Sequence, residues 1–428
     1  MRLYIKKKKS NFIYFQIIFT MIVGFLHSQL HLPSILTYLT DVVLIYMLLT
    51  NIKIICSTSC MKEMTILKFF VGMFLVVAVI SALLNISDNT PFRLVWATRN
   101  TGRTFFFLFS CVALLSIEDV HKIFRIFDYI LFLNLFLCSW QFWVQGLWCD
   151  VVGGVFGTYY GCIAYVQLHL CFVTAYHLSA YFKKQEKASK LMLILGICLY
   201  LAVITELKIY FVELVIFVLV GAIINGLSLR NMIMMVGCFL ALVIGMNYMT
   251  TILPDAAAML NPEELIANLT SEKGYTNSGD LSRFTAVQTL QKMFFSDDFL
   301  KQLFGFGFGN CEASSFSIFN TPFYVKYEHL NYRWFTVAMV YLETGAAGLF
   351  AFYGSLVSCL FVGIFKGRNL KKDVLWSTGM IAIVAVVINT IYNSSFRTEA
   401  GYLTAFGLSI LFILFKNEKL MSRNNEVF

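Results

Sequence analysis

The feature that most constrains this chain of 428 residues is the recurrence of apolar runs along its whole length. A run of about 18 or more residues is long enough for an α-helix to cross the hydrocarbon core of a bilayer. Charged residues make up 13% of the chain, whereas soluble domains carry about 25%. The sequence therefore predicts an all-α polytopic integral membrane protein.

The apolar runs predict about twelve membrane-spanning helices joined by polar segments. The expected spans are 11–28, 32–51, 66–84, 101–117, 123–145, 161–181, 190–206, 209–225, 231–250, 335–365, 374–392 and 400–416. The chain accordingly divides into helices one to nine (1–250), a long polar loop (251–334), and helices ten to twelve with a tail (335–428).

Most of the 33 Lys and Arg residues fall in alternate connecting segments, such as "KKKKS" near the start and "FKKQEKASK" after the sixth span. Because Lys and Arg are retained on the cytoplasmic side, we expect both termini inside and the long loop outside. Topology thus accounts for the net charge of +9, and a nucleic-acid partner is not needed to explain it.

A smaller basic set falls on the predicted outer side, against this bias. Several of its members stand at the mouths of helices: Arg99, Arg103, Lys208, Arg283, Arg333 and Arg397. Arginine binds phosphate oxygens with a planar, two-pronged fork. Two interpretations stay open for each residue, an anion-binding outer cavity or pairing with lipid headgroups and nearby acids. Convergence from separate helices favours the cavity.

The long loop ends in "YEHLNYRW" (327–334), which contains its one histidine, His329. Histidine exchanges protons near neutral pH, and Glu328 or Glu343 could orient it; a structural hydrogen bond is the alternative role. Glu343 and Asp41 lie inside predicted spans, where carboxylates are usually paired or functional.

Three further stretches suggest local structure. In "SGDLSRFTAVQTLQKMFF" the apolar residues recur at three- and four-residue spacing, which predicts an amphipathic helix on the outer membrane surface, capped by Ser278 or Asp280 and carrying Arg283. "LFGFGFGN" lacks the Lys and Ser or Thr of a Walker motif, so we predict a tight glycine turn. "GGVFGTYYG" predicts a turn that lines a cavity.

The order of "LSRFTAVQTLQKM", "LFGFGFGN" and "HLNYRWFTVAMVYLETGAAGLFAF" late in a multi-helix chain resembles the O-antigen polymerase and O-antigen ligase superfamily of bacterial surface-glycan enzymes. The likeness covers about 280–355. It implies a glycosyltransferase of the bacterial inner (cytoplasmic) membrane that moves a glycan from undecaprenyl diphosphate to a sugar hydroxyl on the outer face. It implies no cofactor, metal or nucleotide.

By this resemblance, His329 and Arg283 take the catalytic roles, and Lys208 stands where the family usually has arginine. Arg99, Arg103, Arg333 and Arg397 join Lys208 as diphosphate-binding candidates, with Glu328 and Glu343 in support. Lysine offers a point charge instead of a fork, and "GGVFGTYYG" lacks the family's Asn-Pro pair. The partners implied are the lipid-linked oligosaccharide, the bilayer, and a chain-length regulator and flippase of the same pathway.

Three functions stay open at this point. A polymerase of lipid-linked repeat units for a capsule or O-antigen is favoured over a ligase that transfers finished polymer to a lipid or wall acceptor. A polysaccharide flippase or another transporter is the alternative of another class, with Asp41 and Glu343 as transport carboxylates. We find no internal repeat of two halves such as many transporters show.

Overall fold

The computed structural model of the chain describes residues 2–86, 90–226, 279–314 and 316–425, together with scattered residues between 228 and 244. Within these residues the backbone is predominantly helical and contains no β-strand. The described residues before the loop form eight long helices: α1 (Arg2–Ser28), α2 (Leu39–Ser59), α3 (Thr65–Leu84), α4 (Pro91–Leu114), α5 (Ile117–Ser139), α6 (Ile163–Phe182), α7 (Ala188–Ile204) and α8 (Lys208–Asn225).

The described part of the loop contains short helices, and long helices follow it to the C-terminus. The short ones are α9 (Ala286–Leu290), α10 (Phe299–Phe304) and α11 (Pro322–Tyr327). The long ones are α12 (Thr336–Lys366), α13 (Val374–Tyr392) and α14 (Gly401–Asn425). The end of the bundle at which α9–α11 lie is called the loop side below.

In the described ranges, seven helices are long and apolar enough to cross a membrane: α1, α2, α3, α5, α8, α12 and α13. This agrees with the predicted all-α membrane protein. The count of twelve spans stays a prediction, since α7 is shorter and the predicted ninth span, 231–250, lies largely outside the described residues.

The bundle is built around α6, which is buried along almost its entire length. α13 packs along α6, α14 along α4, and α12 along α3. A helix that is apolar on every face belongs in the interior of a bundle, and most side chains of α6 are apolar. The central position of α6 follows from this pattern.

α12 is kinked at Gly345, where φ is +61°. A Cβ there would lie 2.4 Å from the carbonyl carbon of Leu303, so no larger residue fits without movement. The kink frees the carbonyl of Leu342, which accepts a 2.8 Å hydrogen bond from the Phe306 N–H. The "LFGFGFGN" segment is the predicted tight turn, with positive φ at each of its glycines, Gly305, Gly307 and Gly309.

The predicted amphipathic helix begins later than the sequence indicated. Residues 281–285 are not helical, and α9 starts at Ala286. The cause is long-range pairing: the Leu281 N–H donates to the Leu330 carbonyl oxygen at 3.0 Å, so the segment is tied across the loop before a helix can form. Arg283 therefore lies in a turn and not on the helix, and Asp280 does not cap α9.

α9 and the turn of π-helix that follows it (Gln291–Phe295) pack against α12. Leu290 and Phe295 are buried, and the ring of Phe295 lies 5.5 Å from that of Tyr341 on α12. These residues belong to a second, smaller apolar core between the loop and the first turns of α12. The earlier part of the predicted loop, 251–278, which includes the proposed cap Ser278, lies outside the described residues.

Candidate functional site

A group of buried ion pairs lies on the loop side of α4. Arg99 and Arg103, one turn apart, each place a guanidinium nitrogen 2.9 Å from the Glu399 carboxylate. Arg99 also lies 2.7 Å from Asp41 on α2, and Arg103 donates to the Arg397 carbonyl oxygen at 2.5 Å. Two helices and the turn between α13 and α14 are held together by these contacts.

The group extends into the loop and into α12. The Arg397 guanidinium contacts Glu312 and lies 3.7 Å from Glu343. Asn100 donates to Glu312 at 3.1 Å. We call the whole set the paired cluster, which comprises Arg99, Arg103, Arg397, Asp41, Glu312, Glu343 and Glu399.

Each guanidinium of the paired cluster lies beside a carboxylate of the same cluster. Burial acts to raise the pKa of Glu399, but Arg103 and Arg99 outweigh it and lower the pKa to about 2. The cluster brings four carboxylates to three guanidiniums, so it carries no surplus positive charge for an anion. For Arg99, Arg103 and Arg397, the geometry thus favours pairing with acids over the open anion site that the sequence also allowed.

A cavity of about 420 Å³ opens beside the paired cluster, also on the loop side. It is bounded by the end of α1 and by the segments 159–165, 324–334 and 394–399. Six aromatic side chains line it: Tyr159, Tyr160, Tyr165, Tyr324, Tyr332 and Trp334. The charged or titratable groups among the other lining residues are Glu328, Arg333, Glu399 and His27. The volume is typical of a small-molecule site.

Two exposed charges face each other across one tyrosine of the cavity. The Tyr324 hydroxyl donates to Glu328, and the Arg333 guanidinium lies 5.1 Å from the Tyr324 ring centroid. Desolvation and the hydrogen bond to Glu328 raise the pKa of Tyr324, while Arg333 acts to lower it. The hydroxyl therefore stays protonated near neutral pH and remains a donor to the carboxylate.

The sequence fixes this wall through local signals. Thr321 caps α11 with its side chain, and Pro322 occupies the first turn. After α11, Leu330 and Tyr332 are buried in the second core, and Asn331 between them adopts a left-handed conformation with φ +52°. Burial of these residues leaves the neighbouring charged side chains at the surface.

The opposite wall comes from "GGVFGTYYG", which lines the cavity as predicted. Two side chains satisfy its buried backbone N–H groups. Asn134 Oδ1, on α5, accepts from the Val155 N–H at 2.7 Å, and Gln141 Oε1, just after α5, accepts from the Gly154 N–H at 2.7 Å. A Cβ at Gly157, where φ is +104°, would lie 2.5 Å from the carbonyl oxygen of Gly24 on α1. Glycine is required there because the turn touches the α1 backbone.

His329 is exposed but is not among the residues that line the cavity. Its ring lies 6.4 Å from that of Tyr327. Among the described residues it makes no hydrogen bond to Glu328 or Glu343. Glu343 does not orient it, because that carboxylate is buried in the paired cluster.

Arg283 and Lys208 are not among the residues that line the cavity, and each has a close partner elsewhere. Arg283 lies 3.8 Å from the ring centroid of Tyr392 and donates to its carbonyl oxygen at 3.3 Å. Lys208 pairs with Glu206 at 2.9 Å. Desolvation and Glu206 raise the pKa of Asp150, and Arg283 and Lys208 act to lower it. Both cations thus act electrostatically on Asp150, although they come from separate parts of the chain.

Sequence reasoning missed two residues of chemical interest. His27, at the end of α1, lines the cavity; its position at the outer end of the first predicted span was the available signal. Glu213 is buried inside α8 and accepts hydrogen bonds from Gln167 at 3.0 Å, Cys171 at 3.2 Å and Asn389 at 2.9 Å. An acid inside a predicted span was the signal for it.

Within the part of the chain that the structure describes, no three His, Cys, Asp or Glu side chains are grouped as metal ligands. Cys311 is buried and free. No protein-family model matches the chain, and no curated protein matches it.

Proposed function

We propose that the protein is a polymerase of lipid-linked oligosaccharide repeat units, for a capsule or an O-antigen, in the inner (cytoplasmic) membrane of a bacterium. It would transfer a glycan from undecaprenyl diphosphate to a sugar hydroxyl on the outer face. The observation that carries the proposal is the loop-side cavity, where aromatic rings surround a few charged groups. Flat aromatic faces with a few placed polar groups suit a sugar ring.

The charges around the cavity fit the chemistry of a diphosphate leaving group. Breaking the bond between the sugar C1 and the diphosphate builds negative charge on the leaving oxygen, and cations fixed in advance stabilise that charge as it forms. Arg333 lines the cavity. Arg283 contacts Tyr392, two residues before the lining residue Ser394. Lys208 acts on the same carboxylate as Arg283.

The attacking hydroxyl also needs a proton acceptor within hydrogen-bond reach. Glu328 lines the cavity and His329 follows it directly in the chain, so the two are the candidate acceptors in this segment. The paired cluster contributes indirectly: by joining α2, α4, α12 and the turn after α13, it fixes the wall that contains Glu399.

The test is elongation by the purified protein in lipid nanodiscs, supplied with an undecaprenyl-diphosphate-linked repeat unit from the same cell. We expect a ladder of longer lipid-linked glycans, and we expect Arg283→Ala to abolish it while Lys292→Ala, at an exposed site beyond α9, leaves it unchanged. A wild-type protein that forms no longer glycan would contradict the proposal. Transfer of finished polymer to a separate acceptor would identify the ligase instead.

A flippase is the second candidate, and Glu213 is the observation that favours it. Its carboxylate is fully buried among α6, α8 and α13, with three hydrogen-bond donors around it. Ionisable residues within spans often mark transport pathways. Movement of lipid-linked glycan across a liposome membrane without any elongation would select this function over the polymerase.

A further inference from the structure

We propose that Glu328, and not His329, takes the proton from the attacking sugar hydroxyl. This inference rests on the proposed function and assigns the proton acceptor within the same cavity. It arises from the way the segment 327–334 is anchored, and from the partners of the charged side chains in the cavity wall.

Anchoring decides which of the two adjacent side chains faces the cavity. Leu330 is held by burial and by the hydrogen bond from Leu281, and the Tyr332 hydroxyl donates to the Cys311 carbonyl oxygen at 2.9 Å. With these residues fixed, Glu328 is part of the cavity wall and His329 is not. A proton acceptor must lie within about 3 Å of the hydroxyl it serves, which favours the lining residue.

The Glu328 carboxylate is oriented and keeps one oxygen available. Its Oε1 accepts the hydrogen bond from the Tyr324 hydroxyl. Its Oε2 makes no hydrogen bond to any residue that the structure describes. A carboxylate held by one oxygen and open at the other can receive a proton in a defined direction.

Arg333 adds the second requirement, a cation close to the base. Arg333 and Glu328 both contact Tyr324, one at its ring and the other at its hydroxyl. The acceptor hydroxyl must lie between the base and the sugar C1, and C1 is bonded to the diphosphate. With one tyrosine between them, the Glu328 carboxylate can contact the acceptor hydroxyl while the Arg333 guanidinium contacts the diphosphate.

The other carboxylate in the cavity wall is a poorer base. Glu399 accepts from both Arg99 and Arg103, and those arginines outweigh its burial to lower its pKa to about 2. A carboxylate held so strongly in its ionised form has little tendency to take a proton. His27 is fixed at Nδ1 by a 2.8 Å contact with the Leu32 carbonyl oxygen, and it is not part of the Tyr324 group.

The step balances in atoms and electrons. The acceptor oxygen forms a bond to the donor C1, and the bond between C1 and the diphosphate oxygen breaks with its electron pair leaving on that oxygen. The hydroxyl proton moves to Glu328 Oε2. The products are the lengthened glycan and undecaprenyl diphosphate, and Glu328 is deprotonated again by solvent.

The experiment compares variants in the nanodisc elongation assay with saturating donor. Glu328→Gln keeps the shape but cannot take a proton, so we expect a fall in kcat of about 10²-fold or more with KM for the acceptor little changed. Glu328→Asp should retain part of the rate. Added formate should restore part of the rate to Glu328→Ala, because a small carboxylate can enter the cavity and replace the lost base.

Three comparison variants separate this role from a structural one. Lys326→Gln, at an exposed site on α11, should leave the rate unchanged. His329→Gln and His27→Gln should each cost less than about tenfold, since general-base loss costs about 10²-fold or more. A Glu328→Gln protein within threefold of wild type would overturn the inference. So would Glu328→Ala that formate does not rescue, or a larger loss in either histidine variant.

The outcome also distinguishes this inference from the proposed function. If wild-type protein elongates the glycan and Glu328→Gln does so equally, the polymerase proposal stands and the Glu328 role is wrong. If wild-type protein forms no product, both fail together.

Discussion

The paired cluster and the cavity lie on the same side of the bundle and use the same residue types, yet they treat charge in opposite ways. In the paired cluster, Arg103 and Arg397 are 2% and 7% exposed and contact carboxylates from distant elements. In the cavity, Glu328 and Arg333 are exposed and contact a tyrosine between them.

This difference separates two environments in which a basic residue at a helix mouth is found. Guanidiniums that are buried with acids join helices, and their removal leaves a charge without a partner, which costs far more than an exposed pair contributes. Exposed charges in a cavity contribute little to stability and are available to a ligand. Variants of the paired cluster should therefore lose stability, and variants of the cavity should lose activity.

The largest effect is expected from Arg103→Ala. This change removes a guanidinium that is 2% exposed and leaves Glu399, which is 20% exposed, with Arg99 as its remaining partner. Breaking a buried pair costs about 3–5 kcal/mol. We expect a corresponding loss in the free energy of unfolding in detergent, or failure of the protein to accumulate. Arg333→Ala is the matched control and should change stability by less than about 0.5 kcal/mol. Equal stability of the two variants would remove the distinction between the regions.

Gly345→Ala should have the next largest effect, on the structure that joins the two regions. The change forces a side chain into a left-handed conformation and against the Leu303 backbone. Strain and overpacking together should cost roughly 2–4 kcal/mol. Gly72→Ala on the neighbouring α3 is the control, because a Cβ there meets no atom within 4 Å. Similar melting temperatures for both variants would show that the kink is not required.

A smaller effect should appear in the pH dependence of stability. Arg103 and Arg99 overcome the effect of burial and lower the pKa of Glu399 to about 2, whereas an unfolded glutamate has a value of about 4.3. Because the folded value is lower, the ionised form stabilises the fold above the unfolded value. That contribution, at most about 3 kcal/mol for a shift of this size, is lost as pH falls from about 5 towards 2.

The measurement is the melting temperature of the purified protein from pH 7 to pH 3. We expect Glu399→Gln to melt below wild type at pH 7 and to show a shallower decline in acid. An acid decline as steep in Glu399→Gln as in wild type would show that another group causes it.

The sequence predicted the fold class because apolar length is a local signal, and the glycine turns because positive φ has few alternatives. It placed Arg283 on a helix because its apolar spacing is helical, and could not foresee that Leu281 pairs with Leu330 instead. The carboxylate partners of Arg99 and Arg103 could not be predicted from the sequence either. Glu399 is 300 residues from Arg99 along the chain, and no local pattern encodes such proximity.

The same limit applies to the cavity. "YEHLNYRW" was identified as a charged cluster, but its wall also needs Tyr159 and Thr398, which come from two other segments of the chain. Which of Glu328 and His329 faces inward depends on the burial of Leu330 and Tyr332, and that burial is a tertiary property.

The central claim is that the cavity performs chemistry while the paired cluster holds the fold. It is tested most directly by measuring elongation and melting temperature together for wild type, Arg333→Ala and Trp334→Ala in nanodiscs. We predict that wild type lengthens the lipid-linked glycan, and that both variants keep its melting temperature within about 2 °C but lose most of the elongation rate. Cavity variants that elongate as fast as wild type would contradict the account.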